Sequence, residues 1–308
     1  MVPEYVSVAD LRRAMSEELL VAAGVSRTGP LLALLRPLLW FPAHRFASLA
    51  GEFDRRVALH GLTEGMRWLL WRLVDDVHVY GREQIPASGP LVIVSNHPGS
   101  YDILAIGAHL GRDDLRIPAS DVPVLRQLCA TSKHLIYTHL GKDSHARISA
   151  ARDSVRQLRS GGALLVYAAS KVEPDPAVLP GARAGLQDWL DSPAWLLRQV
   201  PDAVLVVTIV SNVLAASCLR NPLTYLRRQP RRKQFLAEAV QIGQQVLFGR
   251  RFPLVPEVRF GLPLTAAELG AGDDSRAARA IIIGQAEQLL SEAQAGLGPS
   301  LPGADSLD

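Results

Sequence analysis

The chain of 308 residues is poor in cysteine: it has two, Cys129 and Cys218, and they form no C-x-x-C pair. That excludes a disulfide framework and predicts a reducing, cytoplasmic setting. Aromatics are few, at 6%, and neither sign of charge dominates, since 33 basic residues against 30 acidic ones leave a formal +3. So mild a balance does not by itself point to nucleic acid. Long apolar runs are missing too. No stretch reaches the roughly 20 residues that span a bilayer. The run from Thr28 to His44 is broken by Pro30, Pro37 and Pro42, and the run from Ala203 to Leu219 opens as a β-branched strand and then meets Ser211 and Asn212. The start, MVPEYVSVAD, has no apolar core behind a basic segment, so no secretory signal peptide is expected. There is no G-x-S-x-G elbow, no P-loop and no G-x-G-x-x-G. His134, His139 and His145 lie close in sequence, but their spacing fits no standard site and no metal is expected.

What the chain does have is core material: 48% of its residues are hydrophobic and 20% charged, which excludes a disordered chain. Residues 1–78 read as a helical region, a cap on the main domain or a membrane-interface platform. EFDRRVALHGLTEGMRWLLWRLVDD carries Phe53, Val57, Leu62, Met66, Leu69, Leu70 and Leu73 at helical spacings. The all-apolar segment before it, with Trp40 and Phe41 beside Arg36, His44 and Arg45, suits a membrane interface. Residues 79–295 read as an α/β domain. Strands are expected at VHVYG, LVIVS, HLIYTH, ALLVYAA, AVLVVTIV and PEVRFGLPL, alternating with helices. One of those helices follows Asp143 or Ser144 and buries Ile148, Ala151, Val155 and Leu158. This alternation predicts a mostly parallel sheet covered by helices on both faces. Residues 296–308, rich in small residues, read as a disordered tail.

Chemistry concentrates in LVIVSNHPGSYD, where His97 stands five residues before Asp102. A histidine becomes a general base when a carboxylate accepts its Nδ1 proton, which fixes the tautomer and leaves Nε2 free. His97 leaves the C-terminal end of a buried strand, where open α/β sheets bind ligands. Pro98 and Gly99 permit a sharp turn, and Asp102 falls in the first helical turn beyond it. The same spacing recurs at His109 and Asp114 without the strand or the Pro-Gly turn, so His109 reads as a helix C-terminal histidine favourable to the dipole.

The run NHPGSYD resembles the first signature block of the glycerolipid acyltransferases, the glycerol-3-phosphate and lysophosphatidate acyltransferase superfamily. The resemblance extends over roughly residues 79–215. It implies that His97 is the base, Asp102 orients it, and an acceptor hydroxyl attacks an acyl thioester of CoA or carrier protein directly. No cofactor is implied beyond that co-substrate, and the block places Asn96, Gly99 and Ser100 beside the substrates. Backbone N–H groups from Pro98 to Tyr101 are the candidate oxyanion donors, although Pro98 itself has none to give. Where the family's second block has a phosphate-binding arginine, this chain has Thr138 or His139, with Lys142 close behind. Its third block, aromatic-Pro-Glu-Gly, survives here as Tyr167, with Ala168, Ala169 and Ser170 in place of the rest. Lys171 and Glu173 follow, either as a cation and carboxylate for the acceptor or as solvated turn residues.

A basic stretch, RNPLTYLRRQPRRK, brings Arg227, Arg228, Arg231 and Arg232 together. It reads as a solvated face or as a contact for anionic lipid, CoA phosphates or an acidic carrier protein; no nucleic-acid motif accompanies it. The sequence thus predicts a peripheral membrane O-acyltransferase of phospholipid biosynthesis. The alternative is a lipid-binding protein on an acyltransferase fold without turnover, and a thioesterase is a third reading.

Overall fold

The computed structural model describes residues 7–22, 34, 36–138, 144–169, 171–227, 229–270 and 275–296. Its strands are β1 (His78–Tyr80), β2 (Leu91–Ser95), β3 (Ile117–Ser120), β4 (Leu135–Thr138), β5 (Ala163–Tyr167), β6 (Val204–Ser211) and β7 (Glu257–Phe260), of which β2, β5 and β6 are rich in Val, Ile and Leu. Five of them form one sheet in the order β1-β7-β6-β2-β5. β2 runs parallel to both neighbours, β6 and β5, while β7 is antiparallel to β6 and parallel to β1. The sheet is therefore mostly parallel, as the alternating pattern requires. β3 and β4 pair in parallel beside it. Arg116 joins them to β5, its N–H donating to the Ala163 carbonyl at 2.9 Å and its carbonyl accepting from the Leu165 N–H at 2.9 Å. β3 is absent from the sequence reading because Pro118 interrupts a short and mixed run.

The helices are α1 (Val8–Ala22), α2 (Trp40–His60), α3 (Leu62–Leu70), α4 (Ser100–Leu110), α5 (Pro123–Gln127), α6 (Ser144–Arg159), α7 (Ala182–Leu186), α8 (Ser192–Gln199), α9 (Ala216–Leu219), α10 (Pro230–Phe248) and α11 (Ser275–Ala295). β2 shows how the layers arise. All five of its residues are buried, and they alternate between two cores. Leu91 and Ile93 join Phe53, Val57, Leu62, Met66 and Leu70 of α2 and α3 and Ile106 of α4. Val92 and Val94 join Leu158, Trp189, Leu197, Ile282 and Leu289 on the opposite face. The N-terminal helices are thus part of one of the two sheet faces, and helices cover both.

Two expectations need correction. The helical run EFDRRVALHGLTEGMRWLLWRLVDD is not continuous: it breaks at Gly61, whose φ of +89° ends α2, and α3 restarts where the Thr63 N–H donates to the Asp113 carboxylate at 2.8 Å. In α6, Ile148 is 50% exposed, because the helix docks through its C-terminal half, where Leu158 is fully buried. The tail from residue 297 onward lies outside the described residues. Among those residues, no helix is long and apolar enough to cross a membrane.

Candidate active site

The site begins where β2 ends. Asn96 ties that end to β6: its Nδ2 donates to the Val210 carbonyl at 2.8 Å and its Oδ1 accepts the Val210 N–H at 2.8 Å. His97 is therefore the first residue to leave the sheet. Gly99 lets α10 come close, since a Cβ there would stand 3.1 Å from Oε1 of Glu238. α4 starts at Ser100, and Asp102 in its first turn reaches back toward the strand.

His97 Nδ1 and Asp102 Oδ2 are 2.7 Å apart. The same Oδ2 accepts the Gly99 N–H at 3.2 Å, and Oδ1 accepts the Tyr167 hydroxyl at 2.8 Å. Asp102 is 0% exposed, whereas the imidazole keeps 27%, so the carboxylate is dry and the ring is within reach of a ligand. The Tyr167 ring stacks on the imidazole with centroids 4.1 Å apart. Burial alone would lower the His97 pKa, but the charge and hydrogen bond of Asp102, backed by Glu238 and Glu173, outweigh it and hold the imidazole above its ordinary value. Burial, with Asp102 alongside, pushes the Tyr167 hydroxyl well above its usual range, so it stays a donor to the carboxylate.

Two further carboxylates clamp the backbone of the turn. Glu173 Oε2 accepts the His97 N–H at 3.0 Å while the His97 carbonyl accepts the Glu173 N–H at 2.8 Å. Its Oε1 accepts Nε1–H of Trp189 at 2.9 Å, and burial, against those bonds, raises its pKa to about 7. Glu238 accepts the Ser100 N–H, and burial raises its pKa as well. Gln234 donates to the carbonyls of Pro98 at 2.7 Å and Glu173 at 2.8 Å. Behind them Asp175, fully buried, accepts the N–H groups of Asn212, Val213 and Leu214 at 2.8, 2.8 and 3.0 Å and so holds the chain leaving β6.

Of the residues singled out in the sequence, His97, Asp102, Gly99, Ser100, Tyr167 and Glu173 come together here. Several expected roles change. Asn96 is consumed by β6 and is a brace, not a substrate contact. Glu173 spends both oxygens on His97 and Trp189, so it offers the acceptor no free carboxylate. Lys171 pairs with Asp188. The N–H groups of Gly99 and Ser100 point at carboxylates, which removes two of the expected oxyanion donors. His109, in the last turn of α4, donates its Nδ1–H to the Ala105 carbonyl at 2.8 Å rather than pairing with Asp114, and burial holds its pKa below the ordinary value, which disfavours a helix-end cation. Trp40, Phe41, Arg227, Arg231 and Arg232 are not among the groups that contact the pair. His139, Lys142 and Arg228 lie outside the described residues, and among those described no cluster of three metal-ligating side chains occurs.

The sequence reading passed over Gln234, Glu238, Asp175 and Trp189. A signal for the first two was there. Gln234, Glu238, Gln241 and Gln245 recur at helical spacing and all are buried, an unusual polar stripe on the inner face of α10.

Residues 76–181 match the model of a family described as Acyltransferase. That stretch of the chain resembles an acyltransferase domain. The matched span holds the whole of β2, the His97–Asp102 pair, Tyr167 and Glu173. Comparison with curated proteins gives no match. Among solved structures, the chain is similar to the crystal structure of the 1-acyl-sn-glycerophosphate (LPA) acyltransferase PlsC from Thermotoga maritima, with 13% identity and a TM-score of 0.47, over 95% of this chain and 99% of that one.

One concavity adjoins the His97 turn and another lies along α2. The first, about 460 Å³, is walled by Val172, Pro174, Leu179 and Arg231, with Glu173 and Gln234, the residues that hold the His97 turn, forming part of its lining. The other, about 750 Å³, runs between α2 and the end of α10 and includes Trp40, Phe41, Arg45 and Trp68.

Proposed function

We propose that the protein is an O-acyltransferase that moves a fatty acyl group from an acyl thioester, of CoA or carrier protein, to a hydroxyl of a glycerolipid-type acceptor. The observation that carries this is the pairing of His97 Nδ1 with a fully buried Asp102 at 2.7 Å, at the end of a buried strand within the stretch that matches the acyltransferase model. The acceptor hydroxyl gives its proton to Nε2 as its oxygen attacks the thioester carbonyl. The tetrahedral intermediate collapses, the carbon–sulfur bond breaks, and the imidazolium returns the proton to the leaving thiolate. Asp102 keeps the Nδ1 proton in place and stabilises the imidazolium. Base catalysis of this kind contributes about 100- to 10,000-fold. The clamp of Glu173, Glu238 and Gln234 fixes the turn, so that alignment supplies more.

The lipid acceptor makes a membrane surface the natural partner. Trp40 and Phe41, both about half exposed at the start of α2, and the exposed Arg227, Arg231 and Arg232 are the side chains proposed to meet it, from the cytoplasmic side. Incubation with acyl-CoA or acyl-carrier protein and a panel of lysolipids, with products identified by mass, tests the reading. Acylated acceptor that depends on His97 supports it. Free fatty acid as the sole product, with acceptor present, makes the protein a thioesterase, and no product with any donor returns it to the non-catalytic alternative.

A further inference from the structure

Between Asp202 and Glu238 the sequence has no acidic residue, yet it has six basic ones, from Arg220 to Lys233. The structure folds the middle of this segment into one corner. A 3-10 turn, Pro222–Leu226, is locked by the buried Thr224, whose hydroxyl donates to the carbonyls of Leu219 at 2.8 Å and Asn221 at 2.7 Å. It packs against the first turns of α10, where the Lys233 ammonium lies 4.4 Å from the centre of the Tyr225 ring. This rigid corner presents its apolar side chains outward: Leu223 is 53% exposed, Tyr225 66%, Leu226 73% and Phe235 62%. Arg220, Arg227, Arg231 and Arg232 neighbour them along the chain, also exposed.

We propose that this corner is a membrane-docking wedge for an anionic bilayer surface, with Leu223, Tyr225, Leu226 and Phe235 entering the interface and the arginines contacting lipid head groups. Clustered exposed apolar side chains mark a binding surface, and here three are held out by the anchored turn and a fourth by the helix packed against it. The charge says what covers them. A segment whose only charges are basic suits an anionic partner, and exposed apolar side chains set among those cations suit one with a hydrocarbon layer beneath its charges, which a folded acidic protein lacks. Position agrees. Pro230, Arg231 and Gln234 of α10 also line the 460 Å³ concavity, so lipid leaving a bilayer at this corner meets the opening that adjoins the His97 turn. The proposal rests on the acyltransferase reading only for that last point; docking does not require turnover.

The test uses the full chain and vesicles of phosphatidylcholine with or without phosphatidylglycerol. Wild type is expected to sediment with the anionic vesicles and to be released by salt. Leu226→Ser/Phe235→Ser is expected to bind them at least tenfold more weakly at low salt with an unchanged melting temperature, because both side chains are on the surface. Arg227→Gln/Arg231→Gln/Arg232→Gln is expected to lose the preference for anionic vesicles. Equal sedimentation of the serine variant and wild type overturns the proposal. So does absence of wild-type binding at low salt, or, with an acidic carrier protein as a second probe, variants that lose carrier binding while keeping vesicle binding. Failure of the wild type to make any acylated product, with these vesicle results as expected, sinks the enzymatic reading and leaves the wedge standing.

Discussion

Asp102→Asn is an informative perturbation, because the surrounding donors determine how the amide must sit. In the native protein Oδ2 accepts both the His97 Nδ1–H and the Gly99 N–H, while Oδ1 accepts the Tyr167 hydroxyl. The Gly99 N–H is fixed by the backbone and can only donate, whereas the Tyr167 hydroxyl can rotate and accept. Asparagine therefore settles with its oxygen where Oδ2 stood and its NH₂ toward Tyr167. The His97 tautomer survives, Nε2 stays free, and what is lost is the charge. At a separation of about 4 Å and an effective dielectric of about 20, that charge stabilises an imidazolium by about 4 kcal/mol. The amide dipole recovers part of it, so turnover should fall by about 100- to 1,000-fold. The sign for pH follows. The base works when neutral, so activity falls as pH drops through the raised His97 pKa; without the carboxylate, burial prevails and this limb moves to lower pH. Rate–pH profiles of wild type and variant, with nitrogen-15 imidazole spectra to read the tautomer, check both parts. A limb that stays in place, or a variant with unaltered turnover, refutes the reasoning.

Other substitutions probe the supporting parts. Glu238→Gln keeps an oxygen for the Ser100 N–H but removes a charge that raises the His97 pKa, so the acid limb should shift to lower pH by less than in Asp102→Asn; a limb that moves upward contradicts this role. Asp175→Ala leaves the N–H groups of Asn212, Val213 and Leu214 without their acceptor, at about 1–3 kcal/mol for each buried group, and urea unfolding should show a loss of several kcal/mol. Gly81→Ala combines a φ of +74° with a Cβ placed 2.1 Å from the Phe260 carbonyl oxygen, so it should destabilise by at least about 1 kcal/mol, read as a lower melting temperature.

Much of the fold was legible because its strands are short and apolar on both sides. LVIVS can be little other than a central strand, and its alternation between two cores is the ordinary period of two. The His97–Asp102 pairing was legible because a strand end, Pro98, Gly99 and a helix start left the carboxylate only a short way to go. The clamp was harder to see. Glu173 stands 76 residues from His97 and Glu238 stands 138 from Ser100, and such contacts arise only once the sheet brings α10 over the turn. Glu173 keeps two readings, an acceptor contact or a solvated turn residue, until its burial is known. Pro118 hid β3 for the opposite reason: a local rule discouraged a strand that tertiary pairing then enforced.

The central claim is that the imidazole braced by Asp102 takes the proton of an acceptor hydroxyl. Transfer of a labelled acyl group from its thioester to a lysolipid, measured for wild type and His97→Ala at matched melting temperature, tests it most directly. The account predicts product from the wild type and a loss of at least about 100-fold in the variant. A folded His97→Ala protein that acylates the lysolipid at the wild-type rate contradicts it.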